Sequence, residues 1–334
     1  MDVVTASFGR RLRVVRLRAG LTQAEVSERA GVSVRTLRDI ERNRIARPRM
    51  ASLRRLAGAV GLDPETVLGR VGVEVAVLGP LRVRVDEQVV VAGTLKQRYL
   101  LGLLALHAGH PVTHEEIIDV LWDDRPPVSC RSVMHTYVSR LRSRLHPDVL
   151  VAERGGYRLA VEKVQLDLAD FDELARRAGQ ARSREPAEAL HLWERALSCW
   201  QGPVLRDLTS RLQQHPLAEA ARQRRLAVVL AHAGLAGRYD AWERAIQQLR
   251  AVAYEEPLHE RVHAQLMLAL AGGGQQAAAL SVFTLIRRRL REELGVEPGA
   301  QLREAHRRIL AGGSFLLVAD RSGDQLAELA VSLR

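Results

Sequence analysis

Residues 21–42, LTQAEVSERAGVSVRTLRDIER, decide how the first part of the chain folds. Leu21-Thr22-Gln23-Ala24-Glu25 opens a helix that stops at Ala30-Gly31, and Ser33 caps a second helix running to about Arg42. The glycine permits a sharp turn between them. Val26, Ala30, Leu37 and Ile40 fall on one side and can be buried together, which leaves Val34, Arg35, Arg38 and Asp39 on the outer edge of the second helix. Apolar residues recur at helical spacing from Phe8 to Leu68, with interruptions at Gly20, Gly31, Pro48 and Gly61, so this segment reads as five short helices.

The charge points the same way. Residues 1–72 carry 15 basic and 7 acidic side chains, whereas 73–165 carry 12 and 11 and 166–334 carry 23 and 21, so most of the net +11 sits at the N-terminus. Such asymmetry marks a surface for an anionic partner. Nearly every cation is arginine, whose planar fork grips phosphate or guanine through two hydrogen bonds. Two helices at this spacing form a helix-turn-helix, and Leu21 to Glu25, Gly31-Val32-Ser33 and Ile40-Glu41-Arg42-Asn43 resemble the phage-repressor-like (Xre-type) family. The resemblance implies that Gln23, Arg44, Arg47 and Arg49 hold the DNA backbone, that Ser33, Val34, Arg35, Thr36, Arg38 and Asp39 form the reading helix, and that Arg16 and Glu41 make a buried ion pair. Val34 departs from the polar readers common in the family, and offers only apolar contact to a thymine methyl.

Beyond Gly72 the pattern changes to alternation, in Val73, Val75, Val77, then Leu81, Val83, Val85, then Val89 to Val91, which reads as short antiparallel strands. Helical patterns return at 96–107, 114–122 and 129–145, followed by a hairpin-like pair, Val149 to Ala152 and Tyr157 to Val161, joined through Arg154, Gly155 and Gly156. At 100° per residue the helix 129–145 separates cleanly. Met134, Val138, Leu141 and Leu145 lie on one side, with Ser132, Thr136, Ser139, Arg140 and Ser143 on the other. Arg131 and Arg142 flank it, and it contains no acid, whereas a merely solvated face mixes both signs. Tyr137 to Arg142, with Gly156-Tyr157-Arg158-Leu159, is similar to the winged helix of response-regulator output domains. That likeness implies base reading by Thr136 and Arg140, phosphate contacts from Arg131, Tyr137, Ser139 and Arg142, and a wing contact from Arg154.

From Leu166 to Leu310 the sequence is helical throughout, with breaks near Pro186, Gly202, Pro216, Gly234, Pro257, Gly272 and Pro298. Gly237 to Leu249 aligns with Gly274 to Ile286 at an offset of 37, close to the tetratricopeptide period of about 34. Trp193, Trp200, Trp242 and Phe283 read as core. Asp167 to Phe171, Ala189 to Trp193, Gln265 to Leu270 and Leu290 to Gly299 resemble the bacterial transcriptional activator domain. A winged helix followed by that domain is the architecture of the Streptomyces antibiotic regulatory proteins (SARPs), here with an Xre-type module in front. The expectation is a mainly α, multidomain chain: a five-helix bundle at 1–72, a winged helix with small antiparallel sheets at 73–163, a tetratricopeptide-like activator domain at 164–312 and a tail at 313–334. The family implies an activator that binds promoter direct repeats near the −35 element, contacts RNA polymerase and its sigma factor, and switches on an antibiotic biosynthetic cluster. The partners expected are double-stranded promoter DNA, the polymerase holoenzyme and possible second protomers side by side, with no cofactor. A repressor with the same DNA contacts is the alternative.

Other chemistries have weaker footing. His259-Glu260-Arg261-Val262-His263 satisfies the H-E-x-x-H zinc-protease pattern, but a zinc protease also needs a third protein ligand and an open cleft, and the run lies inside the activator-like stretch just after Pro257, so a zinc enzyme using His259, Glu260 and His263 is a remote reading. His110 and His114 are separated by Pro111, and Thr113 with Glu116 accounts for that stretch as a helix cap. The two cysteines, Cys130 and Cys199, stand in no metal or redox spacing, and no run of 18 apolar residues occurs, so a cytoplasmic, nucleoid-associated protein without a membrane span or enzymatic site is expected.

Overall fold

The computed structural model describes residues 3–42, 50–61, 72–86, 88–123, 125–239 and 241–312. It divides into two compact units, Met1–Val77 with Leu81–Asp167, and Leu78–Pro80 with Leu168–Arg334.

The first unit opens with α1 (Val3–Arg18), α2 (Gln23–Ala30), α3 (Val34–Glu41) and α4 (Met50–Ala59). Helix α2 starts where it does because Thr22 Oγ1 accepts from Glu25 N, while the Glu25 carboxylate accepts from Thr22 N at 2.7 Å. Those bonds hold the Glu25 carboxyl below its usual pKa range. Helix α2 ends at Gly31 with φ +59°, a conformation that costs a β-carbon, and Ser33 Oγ takes the Thr36 amide at 3.0 Å to start α3. The turn is therefore fixed by a capping residue at each side of it. Leu12, Val26, Ala30, Leu37, Ile40, Leu56, Ala57 and Val60 close the core. Four helices stand among the described residues; the fifth expected one, at 62–68, lies outside them.

The same unit continues with β1 (Val73–Ala76), β2 (Arg82–Val85), β3 (Gln88–Val89), α5 (Leu95–Leu106), β4 (Val112–Thr113), α6 (His114–Trp122), α7 (Cys130–Arg144), β5 (Leu150–Glu153), β6 (Gly156–Leu159) and β7 (Gln165–Leu166). Two sheets form, ordered β3-β2-β1-β7 and β4-β6-β5. Val73 pairs with Val85 and Val75 with Val83, so the sequence alternation sends Val73, Val75 and Val83 inward. Helix α5 is apolar almost all round, and Leu100, Leu101, Leu103 and Leu104 are fully buried. One expectation needs correcting. The sheets are not wholly antiparallel, because Gln165–Leu166 joins the first sheet parallel to β1. Two residues are too short to carry an alternation.

The second unit is helical: α8 (Asp167–Ala181), α9 (Pro186–Ser198), α10 (Ser210–Gln213), α11 (Pro216–Ala236), α12 (Trp242–Glu255), α13 (Glu260–Gly272), α14 (Gln276–Arg289), a π-helical turn at Leu290–Leu294 and α15 (Ala300–Leu310). Pro186 and Pro216 sit in first turns, where a missing N–H costs nothing. Gly234 is not a break, because it lies inside α11 with open space where a β-carbon would stand. The repeat shows as helix starts at 242 and 276, 34 residues apart, and not as the 37 read from the glycines, because the loop after Gly274 is three residues shorter than that after Gly237. Trp193 and Trp200 are buried, the latter edge-on to Phe171 with ring centroids 5.5 Å apart. Trp242 and Phe283 are half-buried. The Trp242 ring fills space that a methyl on Gly237 or Gly272 would occupy, and Phe283 stacks on His306 at 3.9 Å.

Candidate nucleic-acid interface

Beneath α3, Arg16 Nε meets Glu41 Oε1 at 2.7 Å and its Nη2 meets Oε2 at 3.1 Å, with both side chains at most 9% exposed. Arg16 also donates to Leu21 O at 2.9 Å, the residue that leads into α2. The pair therefore ties α1 to both helices of the turn. Gln23, expected on the DNA backbone, commits one amide hydrogen to Glu41 Oε2 at 2.7 Å, which leaves its carbonyl and second hydrogen for an outside partner. Ser33 is committed too, since its oxygen caps α3 and shares a 2.8 Å hydrogen bond with Thr36 Oγ1. The outer edge of α3 then consists of Val34 at 36% exposure, Arg35, Arg38 and a half-buried Asp39. Arg35 Nε stands 4.0 Å from Asp39 Oδ2, and the Arg38 side chain has no hydrogen-bond partner among the described residues. Arg44, Arg47 and Arg49 lie outside the described residues.

Helix α7 is seated by Met134, Val138 and Leu141, all buried. On its opposite side Ser132, Thr136, Ser139, Arg140 and Ser143 are exposed, and Arg131 is exposed on the flank. Three hydroxyls turn back on the helix: Ser132 Oγ to Ser129 O (3.0 Å), Thr136 Oγ1 to Ser132 O (2.9 Å) and Ser143 Oγ to Ser139 O (3.1 Å). Their protons are spent, so toward a base they present lone pairs and, for Thr136, a methyl. The Arg140 side chain is exposed and makes no hydrogen bond or ion pair to the described residues, so its whole donor fork is free.

Arg142 is half-buried. Its Nε donates to Leu150 O at 2.9 Å and its guanidinium lies 6.0 Å from the Tyr157 ring centre, so it braces α7 against the hairpin. Tyr137 is half-buried as well, stacked on Trp122 with centroids 6.3 Å apart, and Lys96 Nζ covers the Trp122 ring at 4.8 Å. Arg154 is exposed at the tip of a tight two-residue turn between β5 and β6, completed by Gly155 at φ +84°. The Gly155 carbonyl accepts from His114 N at 2.9 Å, which pins that tip to the start of α6. Arg158, one residue into the returning strand from Tyr157, is spent on Glu153 and Glu162.

The sequence reading missed His135. It is exposed on the Arg131 and Arg142 flank of α7, and its Nδ1 bonds the Tyr157 hydroxyl at 2.5 Å. His114 stands edge-on to it at 5.8 Å, and burial, then the charges of His135 and Arg131, lower the His114 pKa. Its position four residues after Arg131 was legible, but its partner is a strand residue 22 positions on.

The H-E-x-x-H run is divided among separate structural tasks. His259 is the N-cap of α13 and lies outside the helix, with its ring accepting from Val262 N at 3.3 Å. Glu260 Oε2 accepts from Gly299 N at 2.5 Å, and His263 is buried with Nδ1 3.0 Å from His259 O. The imidazoles do not share one helical face, so the zinc-enzyme reading is withdrawn. No helix among the described residues is long and apolar enough to cross a membrane.

Two propped helices presenting arginines are the kind of surface that a DNA-binding transcriptional regulator carries, and the likeness to known proteins along the chain places it in that class. Residues 7–68 match the description helix-turn-helix domain, 87–159 match transcriptional regulatory protein, C terminal, and 166–310 match bacterial transcriptional activator domain. The regulatory protein AfsR of Streptomyces coelicolor is 39% identical over 240 residues, 70% of this chain and 24% of its own. The transcriptional regulatory protein MoaR1 of Mycobacterium tuberculosis is 33% identical over 250 residues, 71% of this chain and 79% of its own. A solved structure of Mycobacterium tuberculosis EmbR in complex with a low affinity phosphopeptide superposes with a TM-score of 0.61 at 28% identity, covering 78% of this chain and 69% of that one. The chain belongs to the SARP family of transcriptional regulators. It spans about a quarter of the length of the AfsR proteins that it matches. All three matching families and these relatives are regulators, not enzymes.

Proposed function

We propose that this chain activates transcription by binding direct repeats near the −35 element of a promoter and engaging the RNA polymerase holoenzyme, through sigma factor and core subunits. The genes switched on are those of a secondary-metabolite cluster. The observation that carries the reading is α7: a 15-residue helix without an acid, seated by its apolar side, with Arg140 exposed and uncommitted at the centre of its outer face. In this reading Arg140 reads a base, the Thr136 methyl packs against one, and Arg131, Tyr137, Ser139 and the outer nitrogens of Arg142 hold phosphates. Arg154 reaches the neighbouring groove. Helix α3 supplies a second set, with Val34, Arg35, Arg38 and Asp39 facing bases, and Gln23 and Arg44 to Arg49 on the backbone.

Domain limits of 1–72, 73–163 and 164–312 follow from the same reading, with two DNA modules on one tether raising affinity by making the second contact intramolecular. Protomers sit side by side on the repeats. In vitro transcription from a promoter carrying the selected site, with purified polymerase, tests it. More transcript with the full chain supports activation, and less transcript overturns it in favour of repression.

A further inference from the structure

Two helices of the second unit turn polar faces toward each other, and that is unusual in a helical domain, where facing stripes are ordinarily apolar. Glu194, Arg195 and Ser198 lie at helical spacing on α9, and Arg244, Gln247 and Gln248 at helical spacing on α12. They line a cavity of about 430 Å³, within the range of small-molecule sites. Its one contribution from α11 is His232, with a side chain only 1% exposed.

Neither ring nitrogen of His232 has a hydrogen-bond partner, and Nε2 stays 3.7 Å from Glu194 Oε1. A neutral imidazole holds one donor and one acceptor, so two polar functions are stranded in one buried ring. Burial lowers its pKa against the opposing pull of Glu194. The acid in the cavity is already answered, because Arg244 Nη1 pairs with Glu194. What remains is the Arg195 guanidinium, the amides of Gln247 and Gln248, the Ser198 hydroxyl, which donates to Arg195 O, and the His191 and His232 rings: a net positive set, rich in donors, with Leu197 the one apolar lining residue. That set of donors favours a compact anion.

We propose that this cavity binds a small polar molecule carrying a carboxylate or phosphate group, with its oxyanion on Arg195 and the glutamine amides and a hydroxyl or oxyanion oxygen at His232. The site is separate from the DNA-facing helices and does not depend on which promoter they read.

The test titrates the full chain calorimetrically with citrate, glucose 6-phosphate and inorganic phosphate, at ionic strength matched with sodium chloride. The DNA-facing arginines also attract anions, so the deciding signal is the His232 ring resonance followed by NMR in the same titrations. The expected result is saturable binding of at least one probe that moves the His232 resonance, and at least a tenfold loss of that affinity in the Arg195→Ala/Gln248→Ala variant. Response to citrate alone assigns a carboxylate ligand, and response to the phosphates alone assigns a phosphorylated one. Arg303→Ala, exposed on α15, should leave binding unchanged. Absence of saturation by all three probes, or saturation that leaves the His232 resonance in place, would overturn the proposal. Equal affinity in a folded double variant would do the same; if that variant fails to fold, the ring resonance of the wild-type chain decides.

Discussion

Glu41 answers two donors at once, the buried Arg16 and the half-buried Gln23. Replacing it with alanine strands a guanidinium inside the N-terminal bundle, and breaking such a pair from one side costs about 3–5 kcal/mol. Hydrogen exchange of α2 and α3 amides in the full chain should accelerate accordingly, and unchanged protection would show that the pair contributes little. On α7 the residues differ in what they have left to give. Arg140→Ala should lower affinity for the selected duplex by roughly 1–3 kcal/mol and relax one base preference in competition gel shifts. Thr136→Val keeps the methyl and removes a hydroxyl already bonded to Ser132 O, so its effect should stay below about 0.5 kcal/mol. Sequence spacing identified the outward faces at this scale. It identified Ser33 as a cap, but did not reveal that Gln23 and Arg142 divide their hydrogen bonds between the fold and the outside, because their partners, Glu41 and Leu150, are set by tertiary packing.

At the scale of elements, the hairpin that follows α7 depends on Gly156. A β-carbon there would collide with the Val112 carbonyl across the β4–β6 pairing. Gly156→Ala should therefore part those strands and cost about 1–3 kcal/mol, read as a lower melting temperature, with DNA affinity falling as Arg142 loses its seat on Leu150. An unchanged melting temperature would contradict this packing. Helices announced themselves by periodicity and caps, and α6, α7 and the hairpin fall within a residue or two of where the pattern put them. The failures were local: β7 is too short to alternate, Gly234 is tolerated inside a long helix, and the repeat period was read from turns of unequal length. The H-E-x-x-H spacing misled because a motif count ignores where the helix begins, and α13 begins after its first histidine.

For the molecule as a whole, the titration of buried histidines sets a pH dependence. Burial depresses the pKa of both His232 and His263, so the unfolded chain binds protons more readily than the folded one. Stability is then full above the unfolded imidazole value of about 6.5 and is lost as pH falls from there toward the folded values. Melting followed by circular dichroism, with the protection of α11 and α13 amides relative to their intrinsic exchange rate at each pH as the local readout, should show weakening between about pH 7.5 and about pH 5.5; lower protection at the higher pH would reverse the sign. In the sequence each of the three stretches has its own periodicity and charge balance. The polar cavity around His232 was not legible, because it arises where three helices far apart in sequence converge. The central claim, that the outer edges of α3 and α7 lie on duplex DNA, is tested most directly by arginine labelling. The full chain would be treated with phenylglyoxal, with and without a duplex selected from a random pool, and read by mass spectrometry. The account predicts that DNA protects Arg35, Arg38, Arg131 and Arg140 while Arg195 stays reactive, and full reactivity of all four in the bound state would contradict it.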